Sequence, residues 1–408
     1  MFSYVLVCFQ MLEDSSPVDE LMELTAQSLV DLEIQDRFNV IKEIGRGKYG
    51  RVLLVTHRCR GTPMALKVMP KASTQLQGFL REYCTCLHLS GHPGIVGLFG
   101  IVFRSMEHYC FAQELVNGRD LFSVIQPKVG IPESSVKRCA LQVSSALDFI
   151  HSRSLVHRDV KPENVLLLDD RCFHVKLADF GLAQRRGAFI RFVSGTLPYS
   201  APELCVRVLR EGQVSAPPLP VEPSLDTWAF GVLLFCVLTG YFPWESCTSE
   251  DSFYQDWKEE GERNKDTEEE REEEVPPLWR RFTSDALQMF RRLLALDPEQ
   301  RSSVTEVKAY VLRDWLKPAP PIDQTSPTTS HKATSSLAPP TETSSNNNKN
   351  NINNNTNNNT NNSTNNSNSS NNNKNINTNN SNGGSNNTNN NNSHNNINKK
   401  HQQQQQHQ

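Results

Sequence analysis

The chain has 408 residues and a formal net charge of −3, so it carries no basic excess of the kind that holds nucleic acid. Its longest apolar runs, such as Trp228–Leu238, are too short to span a bilayer. The ten cysteines are scattered without CxxC pairs, mostly in apolar segments, which suggests no zinc site and predicts buried free thiols in a reducing, cytoplasmic setting.

Met1–Gln10 reads MFSYVLVCFQ, apolar but without the positive start or small-residue cleavage site of an export signal. With Glu13, Asp14, Asp19 and Glu20 behind it, the expectation over 1–36 is a flexible, solvated leader; a secretory signal is the alternative. From Phe38 the pattern is strand, glycine turn, strand, with Gly45, Gly47 and Gly50 forming GxGxxG ahead of Val52. Apolar and β-branched residues continue through Val52–Val55, so a hairpin follows where a dinucleotide-binding turn would need a helix. Glycines in such a hairpin let backbone amides approach an anionic group closely. Met64–Lys67 forms the next strand, and QGFLREYCTCLHL, holding Glu82, reads as a helix.

Tyr109–Phe122 runs from a strand through a polar linker into a helix. Val136–His151 is a helix by the spacing of Val136, Cys139, Ala140, Val143, Ala146, Leu147 and Ile150, a stripe best explained as core. Then comes Val156–Gly181, with His157-Arg158-Asp159, Lys161 and Asn164, and after them Asp179-Phe180-Gly181. Strand-like runs Val165–Leu168 and His174–Leu177 flank the turn at Asp169-Asp170, so the two polar clusters sit at matching ends of a hairpin. Two acids, an amide and a lysine at one mouth are what phosphoryl transfer from a metal-bound nucleotide needs.

HRDxKxxN followed by DFG at this spacing resembles the catalytic core of the protein kinases. The resemblance implies an α+β fold of two lobes, a small β-rich one and a larger helical one, with ATP and Mg²⁺ between them. By that likeness Asp159, Lys161 and Lys67 are catalytic: Asp159 accepts the proton of the substrate hydroxyl, Lys161 neutralises the transferring phosphate and Lys67 pairs with the nucleotide phosphates. Asn164 and Asp179 hold the metal. Ile44, Gly45, Gly47, Gly50, Val52 and Ala65 line the nucleotide, with Gln113 at the gate of the adenine pocket. Glu114 and Val116 offer backbone groups to the base, and Asp120 reaches the ribose. Lys67 needs a carboxylate partner, and Glu82 is the only acid between it and Gly91; a surface glutamate is the alternative. A lysine two places after the catalytic aspartate resembles the serine/threonine class. Glu163 would favour a basic residue ahead of the acceptor.

Ala201-Pro202-Glu203 resembles the motif that closes the activation segment, and Thr196 the threonine that bonds the catalytic lysine and aspartate. Between Gly181 and Gly195 the only hydroxyl is Ser194, and Arg185, Arg186 and Arg191 stand where a phosphorylation site is usual. Activity is therefore expected not to need phosphorylation of this loop, and Arg158 would need another anion. Asp226 resembles the aspartate that bonds back to the catalytic loop, and Arg301 the arginine that pairs with Glu203 in a structural role. APPLPVEP (216–223) has PxxP spacing, read as a stiff loop, with an SH3 ligand as the alternative. Lys258–Glu274 is read as a solvated loop, with a docking surface for basic partners as the alternative; its part from Glu259 to Glu274 sets ten acids against three bases.

Whole phrases, among them VKRC, LVHRDVKPENVLL, VKLADFG and WAFGVLLFCVLTG, make the chain similar to the SH3-binding-domain serine/threonine kinase (SBK) family from Asp36 to Leu316. The expected organisation is leader 1–36, kinase domain 37–316 (lobes at about 37–113 and 117–316) and tail 317–408. Expected partners are protein substrates, with no nucleic acid or membrane, around a monomeric catalytic domain. Of the proline-rich tail that the family name suggests, only Lys317–Pro321 supplies a cluster that an SH3 domain could take. Beyond Asp323 the chain lacks aromatic residues and runs into Asn and Gln tracts, a composition that stays disordered and tends to self-associate. The rival from another class is a scaffold without catalysis. It is disfavoured because a scaffold need not keep Lys67, Glu82, Asp159, Asn164 and Asp179 together.

Overall fold

A computed structural model of the protein describes residues 16–47, 50–190, 197–209, 218–262 and 275–318. The β-rich start of the chain builds six strands: β1 (Val30–Asp31), β2 (Phe38–Gly47), β3 (Gly50–His57), β4 (Pro63–Pro70), β5 (Leu98–Arg104) and β6 (His108–Gln113). They lie in the order β1-β5-β6-β4-β3-β2, and all pairs are antiparallel except β1 with β5. Phe38, Val55, Leu66, Val68 and Phe103 close one small core of this sheet. On its other side Phe111 meets Phe79 and Tyr83 of helix α3 (Leu76–Leu89), with ring centroids 6.2 and 5.8 Å apart. GxGxxG is therefore the β2–β3 hairpin, with Gly45 opposite Val52, and no helix follows it. A Cβ on Gly50 would lie 2.3 Å from the Val68 carbonyl oxygen, so that position excludes any side chain.

The larger lobe is arranged around helices α4 (Glu133–His151) and α6 (Ser224–Thr239). Helix α6 is apolar all round and buried from Leu225 to Thr239, the pattern of a helix inside a core. It stops at Gly240, whose φ of 68° is the left-handed cap that glycine adopts without strain. Phe235 of α6 packs into an aromatic cluster with Trp279, Phe282 and Phe290, the last on α8 (Ser284–Leu293). Short strands β7 (Leu155–Val156), β8 (Val165–Leu167), β9 (Val175–Leu177) and β10 (Gln184–Arg185) frame the central stretch. β8 and β9 pair Val165 with Leu177, the hairpin expected from the sequence, one residue shorter on each arm.

Two expectations are corrected. The leader is not flexible over its described part: Pro17–Ser28 is helix α1, followed by β1 and the single-turn helix α2 (Ile34–Arg37). Ser16 caps α1, Pro17 opens it, Asp19 and Glu20 sit in its first turn, and Val18, Met22 and Thr25 are buried. Those start signals, read with the apolar spacing through Leu29, are the clue that the acid-rich reading passed over. Secondly, Lys258–Glu262 is not loop but the end of helix α7 (Ser252–Glu262). Trp257 Nε1 donates to Leu294 O at 3.3 Å, and Glu260 is buried against Arg291, 2.7 Å away. Residues 263–274 of that acidic run lie outside the described residues. In the PxxP segment, read as a stiff loop, Leu219–Pro220 form strand β12, paired with β11 (Phe189–Ile190), and Val221 is fully buried.

Among the described residues no helix is long and apolar enough to cross a membrane. The nine described cysteines are free thiols, and all except Cys59 are buried.

Candidate active site

Lys67 stands mid-sheet, with Val52 beside it on β3 and Phe111 on β6. Only 9% of it is exposed, so its charge requires partners. Helix α3 brings Glu82, itself buried, onto its ammonium, and Asp179 Oδ1 lies 2.9 Å away. Burial by itself would lower the lysine pKa; the two carboxylates outweigh it and hold Lys67 above its ordinary value.

The catalytic loop is hung from Asp226, which is fully buried on α6. Its carboxylate accepts the backbone N–H groups of His157 and Arg158 and the His151 ring Nε2, each at 2.8 Å. Burial pushes this carboxyl up, but the His151 bond and charge and the Arg158 N–H prevail and hold it below the usual range. The two N–H bonds fix the turn at Arg158, whose φ is 67°. Both nitrogens of the buried His157 ring are committed: Nε2 donates to Ala178 O at 3.1 Å and Nδ1 accepts from Asp159 N at 3.2 Å. That pattern requires the neutral Nε2–H tautomer and ties Asp159 to the strand leading into Asp179. The Phe180 ring packs on the same imidazole at 4.9 Å.

On this frame Lys161 Nζ meets Asp159 Oδ1 and Oδ2 at 2.9 and 2.8 Å. Asn164 Nδ2 donates to Asp159 O and Oδ2 at 2.7 and 2.8 Å, which leaves its amide oxygen for a cation. Asp179 has φ 61° and accepts the Gly181 N–H at 3.3 Å. Burial pushes this carboxyl up, but Lys67, by charge and hydrogen bond, and the Gly181 N–H bring it down to about 2. Its side chain is still 45% exposed, so one oxygen is open to the cleft.

The remaining residues predicted to bind the nucleotide make no side-chain hydrogen bond or ion pair with these clusters among the described residues. Ile44 is 42% exposed at the end of β2, and Ala65 lies opposite the gate residue Gln113. The Glu114 N–H is used on Gly97 O at 2.8 Å, and its carboxylate on Gly97 N at 3.0 Å and Lys176 at 2.9 Å. Asp120 Oδ1 caps Ser123 N at 2.7 Å, a local role that the sequence did not indicate. Thr196, Ser194 and Arg191 lie outside the described residues, whereas Arg158 Nη1 donates to Leu182 O at 3.3 Å. Sequence reasoning missed His151 and the bridging role of His157. No local signal marks His151, because its partner Asp226 is 75 residues away.

Two consequences are measurable. Asp179 and Asp226 both have depressed pKa values, so the stability they contribute is present above about pH 4, the unfolded carboxyl value. It is lost as the pH falls, toward about 2 for Asp179 and below the usual carboxylate range for Asp226, and acid unfolding followed by circular dichroism should show a transition below about pH 4 that Asp226→Asn weakens. Arg301, whose side chain is fully buried, makes two bonds to Glu203, at 2.9 and 3.2 Å, and one to Ser224 O at 2.9 Å. Arg301→Ala should therefore cost about 3–5 kcal/mol in urea unfolding, the scale for breaking one side of a buried pair.

The site also fits what is found in other proteins. The protein kinase domain family model matches residues 38–312. Serine/threonine-protein kinase SBK1 of Danio rerio is 49% identical over 308 residues, which are 74% of this chain and 77% of that one. Serine/threonine-protein kinase SBK2 of Homo sapiens is 44% identical over 308 residues, 74% of this chain and 84% of its own. Serine/threonine-protein kinase meng-po of Drosophila melanogaster is 34% identical over 284 residues, 69% of this chain and 59% of its own. A buried lysine between two carboxylates, a catalytic loop hung from a buried aspartate and these likenesses together place the chain in the protein kinase superfamily, as a member of the SBK family of serine/threonine-protein kinases.

Proposed function

We propose that the chain transfers the γ-phosphate of Mg-ATP to serine and threonine hydroxyls of protein substrates, without needing a phosphate on its own activation segment. The observation that carries this reading is Asp159, held by Lys161 and Asn164 beside the strand that delivers Asp179 to Lys67. Asn164 and Asp179 fit magnesium, which takes few protein ligands and fills its octahedron with water and phosphate oxygens. Among the described residues no set of three or more His, Cys, Asp or Glu side chains would hold a metal unaided, which suits an ion carried in with the nucleotide. Bound magnesium supplies positive charge that offsets the phosphate oxygens.

The chain's own residues do the rest. The glycine hairpin leaves room for backbone amides to approach phosphate oxygens, and Lys67, kept extended by Glu82, pairs with them. The Glu114 carbonyl and Val116 backbone orient the base. Asp159 accepts the proton as the substrate hydroxyl attacks, while Lys161 offsets the charge of the phosphoryl group in transit.

Independence of loop phosphorylation is supported by contacts that hold the described part of the activation segment. β10 pairs with β7, and Gly187 N and Val221 N exchange bonds with Val221 O and Ala188 O at 2.8 and 2.7 Å. Arg186 also meets Glu222 at 2.7 Å. The free thiols suit a cytoplasmic site of action. The test uses phosphatase-treated chain, shown by mass spectrometry to carry no phosphate from 182 to 203. It should phosphorylate serine and threonine, not tyrosine, in a mixed peptide array. Inactivity restored by a loop phosphate would overturn this part of the reading.

A further inference from the structure

Residues 17–37 precede the stretch that matches the kinase family model, yet they are folded onto the small lobe. Val18, Met22 and Thr25 on α1, and Leu29 just after it, recur at helical spacing, and each is less than a tenth exposed. The helix packs on α3, where the Thr25 hydroxyl and Cys84 Sγ are 3.5 Å apart. The following segment is fastened to the sheet edge. β1 joins β5, Arg104 holds Asp31 through bonds of 2.7 and 2.9 Å, and Glu33 accepts the Met106 N–H at 2.8 Å.

Helix α3 also carries Glu82, and residues two apart on a helix point about 200° from one another. Cys84 and Glu82 thus lie on opposite sides of α3: α1 covers one side, and Lys67 binds the other. We propose that residues 16–37 are a built-in positioning element of this kinase, which clamps α3 so that Glu82 stays on Lys67 and the lysine stays extended. An enzyme whose loop offers almost no hydroxyl for activation has in this clamp another means of fixing its catalytic lysine. The proposal rests on the kinase reading given above.

The experiment compares full-length chains in Mg-ATP turnover on a peptide substrate: unmodified, Met22→Leu and Met22→Asp, each with Glu82 intact and with Glu82→Gln. Met22→Leu keeps the apolar contact and should stay within about twofold of the unmodified kcat. Met22→Asp should lower kcat by roughly tenfold to a hundredfold, the scale on which a slightly misplaced catalytic group slows an enzyme. In the Glu82→Gln background the same substitution should add less than about twofold, because the ion pair it protects is already gone. Equal kcat for Met22→Asp and the unmodified chain, or the same fold-loss in both backgrounds, would overturn the proposal. If Met22→Asp is unfolded by circular dichroism, Met22→Ala goes through the same comparison, and a smaller loss confined to the Glu82 background is expected. Absence of transfer by the unmodified chain would instead sink the kinase reading beneath it, and is separately visible in the first arm.

Discussion

Asp159→Asn should lower kcat for transfer to a protein hydroxyl by about 10²–10⁴-fold, the span that a positioned general base contributes. The substitution is close to isosteric. Lys161 and Asn164, which now hold the carboxylate at 2.8–2.9 Å, keep an oxygen to bind, so the loop should stay folded. The loop is also hung from Asp226 through the His157 and Arg158 N–H groups, bonds that the change does not touch. What is lost is the ability to take a proton. The KM for ATP should therefore stay within about twofold, because the nucleotide side of the site, Lys67 and Glu82, is intact. A fall in kcat without a change in melting temperature is the signature. Equal turnover by the variant would remove Asp159 from the chemistry.

Lys67→Met should have an effect of similar size in kcat/KM, about 10²–10³-fold, the usual result of deleting one preorganised charge from an active site. Here a structural cost comes with it. Glu82 is 3% exposed, and Lys67 is its ion-pair partner; deleting the lysine leaves a buried carboxylate without it, at about 3–5 kcal/mol in denaturant unfolding. The two effects can be separated by a second change. Lys67→Met combined with Glu82→Leu replaces the pair by apolar side chains and should recover most of the stability while leaving turnover low. Asp179, half-open to the cleft, can stay solvated in both variants.

How much of this was legible in the sequence depends on how far apart the partners lie. Asp159, Lys161, Asn164 and Asp179 fall within one 21-residue stretch, where spacing alone brings them to one end of a hairpin. Lys67 and Glu82 are 15 residues apart and were joined because no other acid was within reach. The glycine hairpin was distinguished from a dinucleotide turn by the strand that continues through Val52–Val55. Other contacts between distant segments left no such trace: Thr25 and Cys84, and Arg291 and Glu260, are pairs of ordinary residues in their own neighbourhoods, and nothing around His151 marks it as the partner of Asp226. Composition also misled. Acids at the start of α1 read as a solvated leader, although acids in a first turn favour a helix start, and Glu260 read as one more loop charge, although α7 turns it inward.

Transfer of a terminal phosphate, as proposed, needs groups of both lobes to act on one nucleotide. Purified full-length chain is incubated with magnesium, γ-³³P-labelled ATP and a mixed protein substrate, and the labelled residue is identified after acid hydrolysis. Label on serine and threonine, abolished when EDTA removes the metal, is the predicted result. ATP bound in the presence of magnesium with no label on any protein would contradict it.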